Sequence, residues 1–276
     1  MTAGHGSLSI SHVDGRSAVV GCRAESPLRL MTPDVTKASS WCYVSSFGGG
    51  LVDGDATSLD VDVGAGASLV LATQASTKVY RGKASQRLSA RVAAGGLLAL
   101  VPDPIVPFAD ADYRQSITVD LAEGASLVLS DAYTAGRSAR GERWQLARYE
   151  SRISIAKHGL PFFTDPLRLN PAHGALPERM GRWDAMASIV VVGPKVAGAA
   201  ALILEAIAKT RVRATDDVIV AASPITDGAF VRVMATDVRG VTRVVRDTLS
   251  FLSALVGDDP FRGRALPRLA CSGVCR

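Results

Sequence analysis

The hexapeptide GASLVL occurs at Gly66 to Leu71 and again at Gly124 to Leu129, 58 positions later. Half of 58 is 29, and a step of 29 from the first copy uncovers another between the two. Leu59, Leu88 and Ile117 align, as do Val61, Ala90 and Val119, and then Val63, Val92 and Leu121. Gly66, Gly95 and Gly124 follow, then Leu69, Leu98 and Leu127, and Leu71, Leu100 and Leu129. Within a copy the apolar residues stand two apart, pause at a glycine and resume two apart, which is the period of a strand with one buried face. Each copy therefore reads as strand, tight turn, strand. Asp60, Asp62, Ser89, Arg91, Thr118 and Asp120 fall between the apolar positions and are expected on a wetter face. One such unit cannot cover its own apolar side, so the three copies are expected to stack around one core, as a β-solenoid or a layered β-sandwich-like arrangement.

Outward from the repeat the pattern changes. One more step lands on Leu146 and Arg148 without a turn glycine, so the period ends there, although alternation continues through Ile153 and Ile155. After Pro161, Pro166, Pro171 and Pro177, a helix is expected from Pro194, in its preferred first-turn position, to about Lys209. A second is expected from about Thr242 to Val256, with Gly257 as its stop. Between them Asp217 to Val233 reads as two strands around a turn at Thr226, Asp227 and Gly228. The expected fold class is mainly β, with about two α-helices in the C-terminal part. One domain is expected over 1–276, with repeats at 59–131, a smaller strand and helix portion at 190–256, and a flexible tail at 257–276.

The composition agrees with that reading. A chain of 276 residues can form one large β unit, and 47% apolar with 21% charged residues excludes a disordered or collagen-like protein. Aromatics are only 5%, against 26 Gly and 13 Pro, so the core must come from Val, Leu, Ile and Ala between many turns. The net charge of +5 arises from 31 basic and 26 acidic residues. The basic ones are mostly scattered Arg, and even the densest stretch, Arg239 to Arg276, is interleaved with Asp247, Asp258 and Asp259, so no nucleic-acid partner is expected. The opening MTAGHGSLSISHVDG has no apolar signal-peptide core, and Gly193, Pro194, Lys195 and Glu205 interrupt the apolar run from Met186 to Ala208. A cytoplasmic protein with no membrane association is expected, and its four cysteines, Cys22, Cys42, Cys271 and Cys275, are expected to be reduced.

Most catalytic motifs fail on inspection. The run GGGLVDGD, Gly48 to Asp55, has Asp55 where a phosphate loop needs Lys, and no G-x-G-x-x-G precedes a helix. As a calcium loop it fails at Ser58 and Gly64. His5, His12, His158 and His173 are isolated, and Cys271 with Cys275 at the chain end is read as part of the tail. The carboxylates Asp55, Asp103 and Asp131 lie at the ends of repeat strands, where they serve either turns or weak oxygen ligation along an internal path.

The segment SSFGGGLVDGDATSLDVDVGAGASLVLATQASTKVYRG, Ser45 to Gly82, resembles the signature region of the urease accessory protein UreD (UreH) family. The residues that carry the likeness there are Gly49, Gly50, Gly54, Asp55, Gln74, Lys78 and Tyr80. PDPIVPF with Pro107, YRQ at Tyr113 to Gln115, and GRSARGERW with Gly136 and Arg137 follow in family order. Pro267 and Arg268 begin the closing Pro-Arg-x-Trp element of the family, but Ala270 stands in place of its Trp. The resemblance implies a non-enzymatic chaperone with a β-rich fold that binds apo-urease and acts with UreF and, through UreF, the GTPase UreG. It implies no tightly bound cofactor and only transient contact with Ni²⁺ on the way to the urease active site. Within that reading Asp55 is the first choice for a residue lining the nickel path and Asp131 the second. A β-repeat carbohydrate-active enzyme, with Asp53 and Asp55 or Asp60 and Asp62 as its acid pair, and a generic protein-binding scaffold are the alternatives.

Overall fold

The structure, a computed structural model, describes residues 3–33 and 38–261. Its strands begin with β1 (Ala3–Val13), β2 (Arg16–Ala24), β3 (Leu28–Met31), β4 (Ser40–Ser46), β5 (Ala56–Val63) and β6 (Ser68–Thr73). Next come β7 (Thr77–Val79), β8 (Gly82–Val92), β9 (Leu97–Leu100), β10 (Ile105–Pro107), β11 (Ala111–Leu121) and β12 (Ser126–Thr134). The last are β13 (Arg148–Lys157), β14 (Leu160–Leu169), β15 (Ala185–Val192), β16 (Val218–Ile225) and β17 (Gly228–Ala235). Four short helices accompany them: α1 (Leu176–Met180), α2 (Ala197–Ala208), α3 (Val238–Thr248) and α4 (Leu252–Val256).

The 29-residue period becomes strand pairing. Leu59 pairs with Leu88 and Leu88 with Ile117, all parallel and in register. Leu69 pairs with Leu98 and Leu98 with Leu127 in the same way. Each copy thus gives its first strand to one sheet, ordered β14-β13-β11-β8-β5-β1-β2, and its second to another, whose main path is β16-β17-β15-β12-β9-β6-β4-β3. The step between the two is made at Gly66, Gly95 and Gly124, whose φ values of 67°, 63° and 69° lie where L side chains are strained. A side ladder from Leu51 through β7 to β10 accompanies the repeat.

The arrangement has three layers. Inward residues of both sheets, among them Leu8, Val61, Leu69, Leu98, Val119 and Leu127, form the central core. The other face of the second sheet is covered by α2, α3 and α4 through Val196, Ala200, Val241, Leu249 and Leu252. That cover explains why β5 alternates between buried and partly exposed positions while β12 is buried at every position. A third cluster, with Tyr113, Tyr133, Trp144 and Tyr149, fills one end.

The mainly β class holds, and several boundaries differ from those expected. The stacking continues past the period: β11 pairs with β13, but Ile117 meets Ile153, 36 residues on, because the segment from Gly136 to Leu146 lengthens the connection. The expected helix at Thr242 begins earlier, at Val238, where the Asp237 carboxylate accepts a hydrogen bond from Gly240 N at 2.7 Å. It is also two helices, α3 and α4, and α1 has no counterpart among the two expected. Gly257 ends α4 with φ 86°, as read. The first residues of the expected tail, through the buried Phe261, pack on the helical layer; the rest, with Cys271 and Cys275, lies outside the described residues. Cys42 is free and buried, whereas Cys22 is disulfide-bonded, against the reading of four reduced thiols.

Leu98 sits in the middle copy and is fully buried, so Leu98→Ala should destabilise the protein by about 2–5 kcal/mol. A chemical-denaturation curve of the variant measures this directly, and a loss well under 1 kcal/mol would contradict the central place given to the repeat.

Candidate functional site

The motif residues are brought together at the side ladder. A Cβ at Gly50 would stand 2.6 Å from the Tyr80 ring and 2.7 Å from the Lys78 carbonyl oxygen, so only glycine lets these segments close. Tyr80 meets Phe108 edge-on at 5.0 Å, and the Arg137 guanidinium lies 4.0 Å over the Phe108 ring while its other side pairs with Glu142. A Cβ at Gly136 would meet the Pro107 and Glu142 carbonyl oxygens at 2.6 and 2.8 Å. These residues join four distant segments into one structural joint.

Polar chemistry lies inside, between the sheets. Thr57, Gln86, Gln115 and Ser151 are successive register partners on β5, β8, β11 and β13, one residue per strand. Gln86 Nε2 donates to Thr57 Oγ1 at 3.3 Å, the Tyr113 hydroxyl donates to Gln86 Oε1 at 2.7 Å, and Gln115 Nε2 donates to Ser151 Oγ at 2.8 Å. Ser151 Oγ then donates to Asp131 Oδ2 at 2.8 Å, which crosses to the second sheet. There Asp131 pairs with Ser188 on β15 and Ser188 with Arg232 on β17. Ser188 Oγ and the Arg232 guanidinium both bond Asp165 of β14, back on the first sheet. The result is one level of oxygen-bearing side chains through an otherwise apolar core. A cleft of ≈ 180 Å³ reaches this row, with exposed Gln74 and half-buried Ser76 at its rim and Thr57, Gln86, Gln115 and Asp131 in its wall.

Burial sets the charge state of the row. Asp131 is pushed above the ordinary carboxylate range, first by burial, with hydrogen bonds from Ser151 and Gln115 opposing and the nearby Asp165 charge adding to the shift. The hydroxyls of Tyr113 and Tyr149 are raised well above their usual value by burial and then by Asp131, so both stay neutral. The Tyr149 hydroxyl is buried without a hydrogen-bond partner.

Asp55 and Asp131 are not brought together. Asp55 is buried, but its carboxylate accepts from Val52 N at 2.9 Å and so closes the turn of the GLVDGD segment. Its neighbouring pocket is shared with Lys83, Arg114, Asp112 and Arg148, the last two of which pair with Asp112 as the carboxylate partner of Arg148. Asp103 N donates to Thr73 Oγ1 at 2.8 Å at the rim of the cleft. Asp60 projects from the outer face, 3.7 Å from His5 and 3.8 Å from Arg87. Thr57, Gln86 and Gln115 escaped the sequence reading although they stand one 29-residue step apart, two positions ahead of Leu59, Leu88 and Ile117.

A family model described as UreD urease accessory protein matches residues 2–267. A protein of Sorangium cellulosum (strain So ce56) named urease accessory protein UreD is 49% identical over 94% of this chain and 83% of its own. One of the same name from Anaeromyxobacter sp. (strain Fw109-5) is 45% identical over 95% and 89%, and urease accessory protein D of Arabidopsis thaliana is 33% identical over 69% and 68%. The chain belongs to the UreD urease accessory protein family. A role in urease maturation goes with that membership. No helix among the described residues is long and apolar enough to cross a membrane.

Among the described residues no three His, Cys, Asp or Glu form a metal-holding group. Burial pushes the Cys42 thiol up to about 12, a backbone hydrogen bond at Met31 opposing, so it offers no thiolate at neutral pH. The row instead offers carboxylate, hydroxyl and amide oxygens, with the unpaired Tyr149 hydroxyl beside them. Oxygen donors of these kinds are ones that divalent cations accept.

The raised Asp131 predicts a pH effect with a definite sign. A carboxyl whose folded value lies above its unfolded one contributes stability below the unfolded value and loses it as pH rises through the folded value. Asp131→Asn does not ionise, so the melting temperature of the native protein should fall relative to that of Asp131→Asn as pH rises from the ordinary carboxylate range toward neutrality. A constant difference across that range would show that Asp131 carries no raised value.

Proposed function

We propose that the chain is a non-catalytic scaffold for urease maturation in the cytoplasm, which binds apo-urease and UreF and works with UreG through UreF. Ni²⁺, the cargo, enters the cleft at Gln74 and passes between the sheets along Thr57, Gln86, Gln115 and Ser151 to Asp131 and then Asp165. The observation that carries the reading is the hydrogen-bonded row of oxygen donors through a Leu and Val core in a member of this family. A hydrogen-bonded polar group nets only about 0.5–1.5 kcal/mol, less than the roughly 1.5–3 kcal/mol of a fully buried apolar side chain, so a polar row here points to a use other than stability. Neutral amides and hydroxyls replace part of the hydration of the ion, and Asp131 supplies charge only once it ionises. An ion arriving at Asp131 favours that ionised form and drives off its proton. The absence of a strong imidazole or thiolate site among the described residues fits release better than storage. Asp55, the first choice from its motif, lies away from the cleft, so Asp131 takes the main part on this path.

Co-expression with urease and the remaining accessory proteins tests the proposal. Omitting the chain should leave urease nearly free of nickel. Asp131→Ala should lower nickel content and activity several-fold while the scaffold stays folded and abundant. Asp55→Ala should act through stability, lowering the melting temperature in step with any loss of activation. Full urease nickel content without the chain would end the proposal, and full content with a folded Asp131→Ala chain would end the path.

A further inference from the structure

The polar row terminates on a cation. Asp165 is buried, with Ser188 Oγ donating to its Oδ2 at 2.8 Å and the Arg232 guanidinium bonded to its Oδ1. The Arg232 side chain is 39% exposed and that of Asp165 8%, so the guanidinium stands between the carboxylate and solvent. It is held in place from a second direction, 5.3 Å from the centroid of the Phe230 ring, which packs on Phe163 at 5.0 Å. Asp165 is close enough to Asp131 to raise its proton affinity, so the two carboxyls act as neighbours on one row.

A buried carboxylate needs a positive partner, and in this arrangement Arg232 supplies it. A divalent cation that reached Asp165 would meet the guanidinium charge at contact distance and would have to displace it. We propose that Arg232 is the gate of the row: seated on Asp165, it closes the far end to divalent cations, and its withdrawal to solvent opens an oxygen site made by Asp165, Ser188 and Asp131. This inference rests on the path reading given above and assigns its control point. Arginine keeps its charge at every accessible pH, so the gate works by movement of the side chain and not by titration. The partly exposed side chain is anchored by the Phe230 ring and the ion pair, and its exposure leaves it a way outward to solvent.

Isothermal titration of the full-length protein with Ni²⁺ alone tests the gate. Arg232→Met keeps the apolar stem over Phe230 and removes the charge; it should bind Ni²⁺ roughly ten-fold more tightly than the native protein, or with one added site,. Arg232→Lys, and Arg232→Met combined with Asp165→Asn, should bind as the native protein does. Should Arg232→Met fail to fold, Arg232→Gln makes the same comparison while keeping a donor for Asp165. Native-like binding by a folded, uncharged variant overturns the gate, as does a gain that survives Asp165→Asn. This readout needs no urease. A gain in binding together with normal urease loading by Asp131→Ala would remove the path and leave the closed cation site, whereas no gain together with failed loading would remove the gate alone.

Discussion

The structure depends on parallel, in-register stacking of strands at a fixed step. Once Leu59, Leu88 and Ile117 are locked side by side, every other position of the repeat is also placed beside its counterpart. A leucine level becomes a hydrophobic seam shared by all copies, and a glycine level becomes a line of turns. One-residue slips would turn the whole apolar set to the wrong face, so the pairing is strongly specified. The same rule that builds the core also gathers polar residues. Thr57, Gln86 and Gln115 occupy one level because they occupy one position of the period.

That constraint explains what could be read beforehand. The period, the turn glycines and the outward Asp60, Asp62, Arg91 and Asp120 follow from the 29-residue step and the alternation of strands, so the first sheet was legible. The second sheet was not read as buried on both faces, because its cover comes from α2, α3 and α4, more than 60 residues further along. The extra strands were harder still: β1 joins β5 in parallel without carrying the repeat pattern, and β13 arrives after a longer connection. No fixed spacing announces either.

The site divides in the same manner. Asp131 stood out as a carboxylate at a strand end, and its neighbours Gln86 and Gln115 were visible in principle as polar residues repeating at the period. Ser151, Asp165, Ser188 and Arg232 come from strands beyond the repeat, and only the facing of the two sheets unites them. The motif that marks the family most clearly turned out to build the joint around Tyr80, Phe108 and Arg137. Its Asp55 holds a turn there, whereas the residues of the polar row are spread thinly along the chain.

In the proposed reading, the polar level between the sheets conducts nickel to urease. Replacing Gln86 and Gln115 together by Leu would fill that level with apolar side chains close in size to those lost and leave the surface unchanged. The direct measurement is nickel per urease active site, by elemental analysis of urease purified from cells that make equal amounts of native or doubly substituted scaffold. The account predicts urease largely without nickel from the substituted cells. Urease carrying its full nickel complement would contradict it.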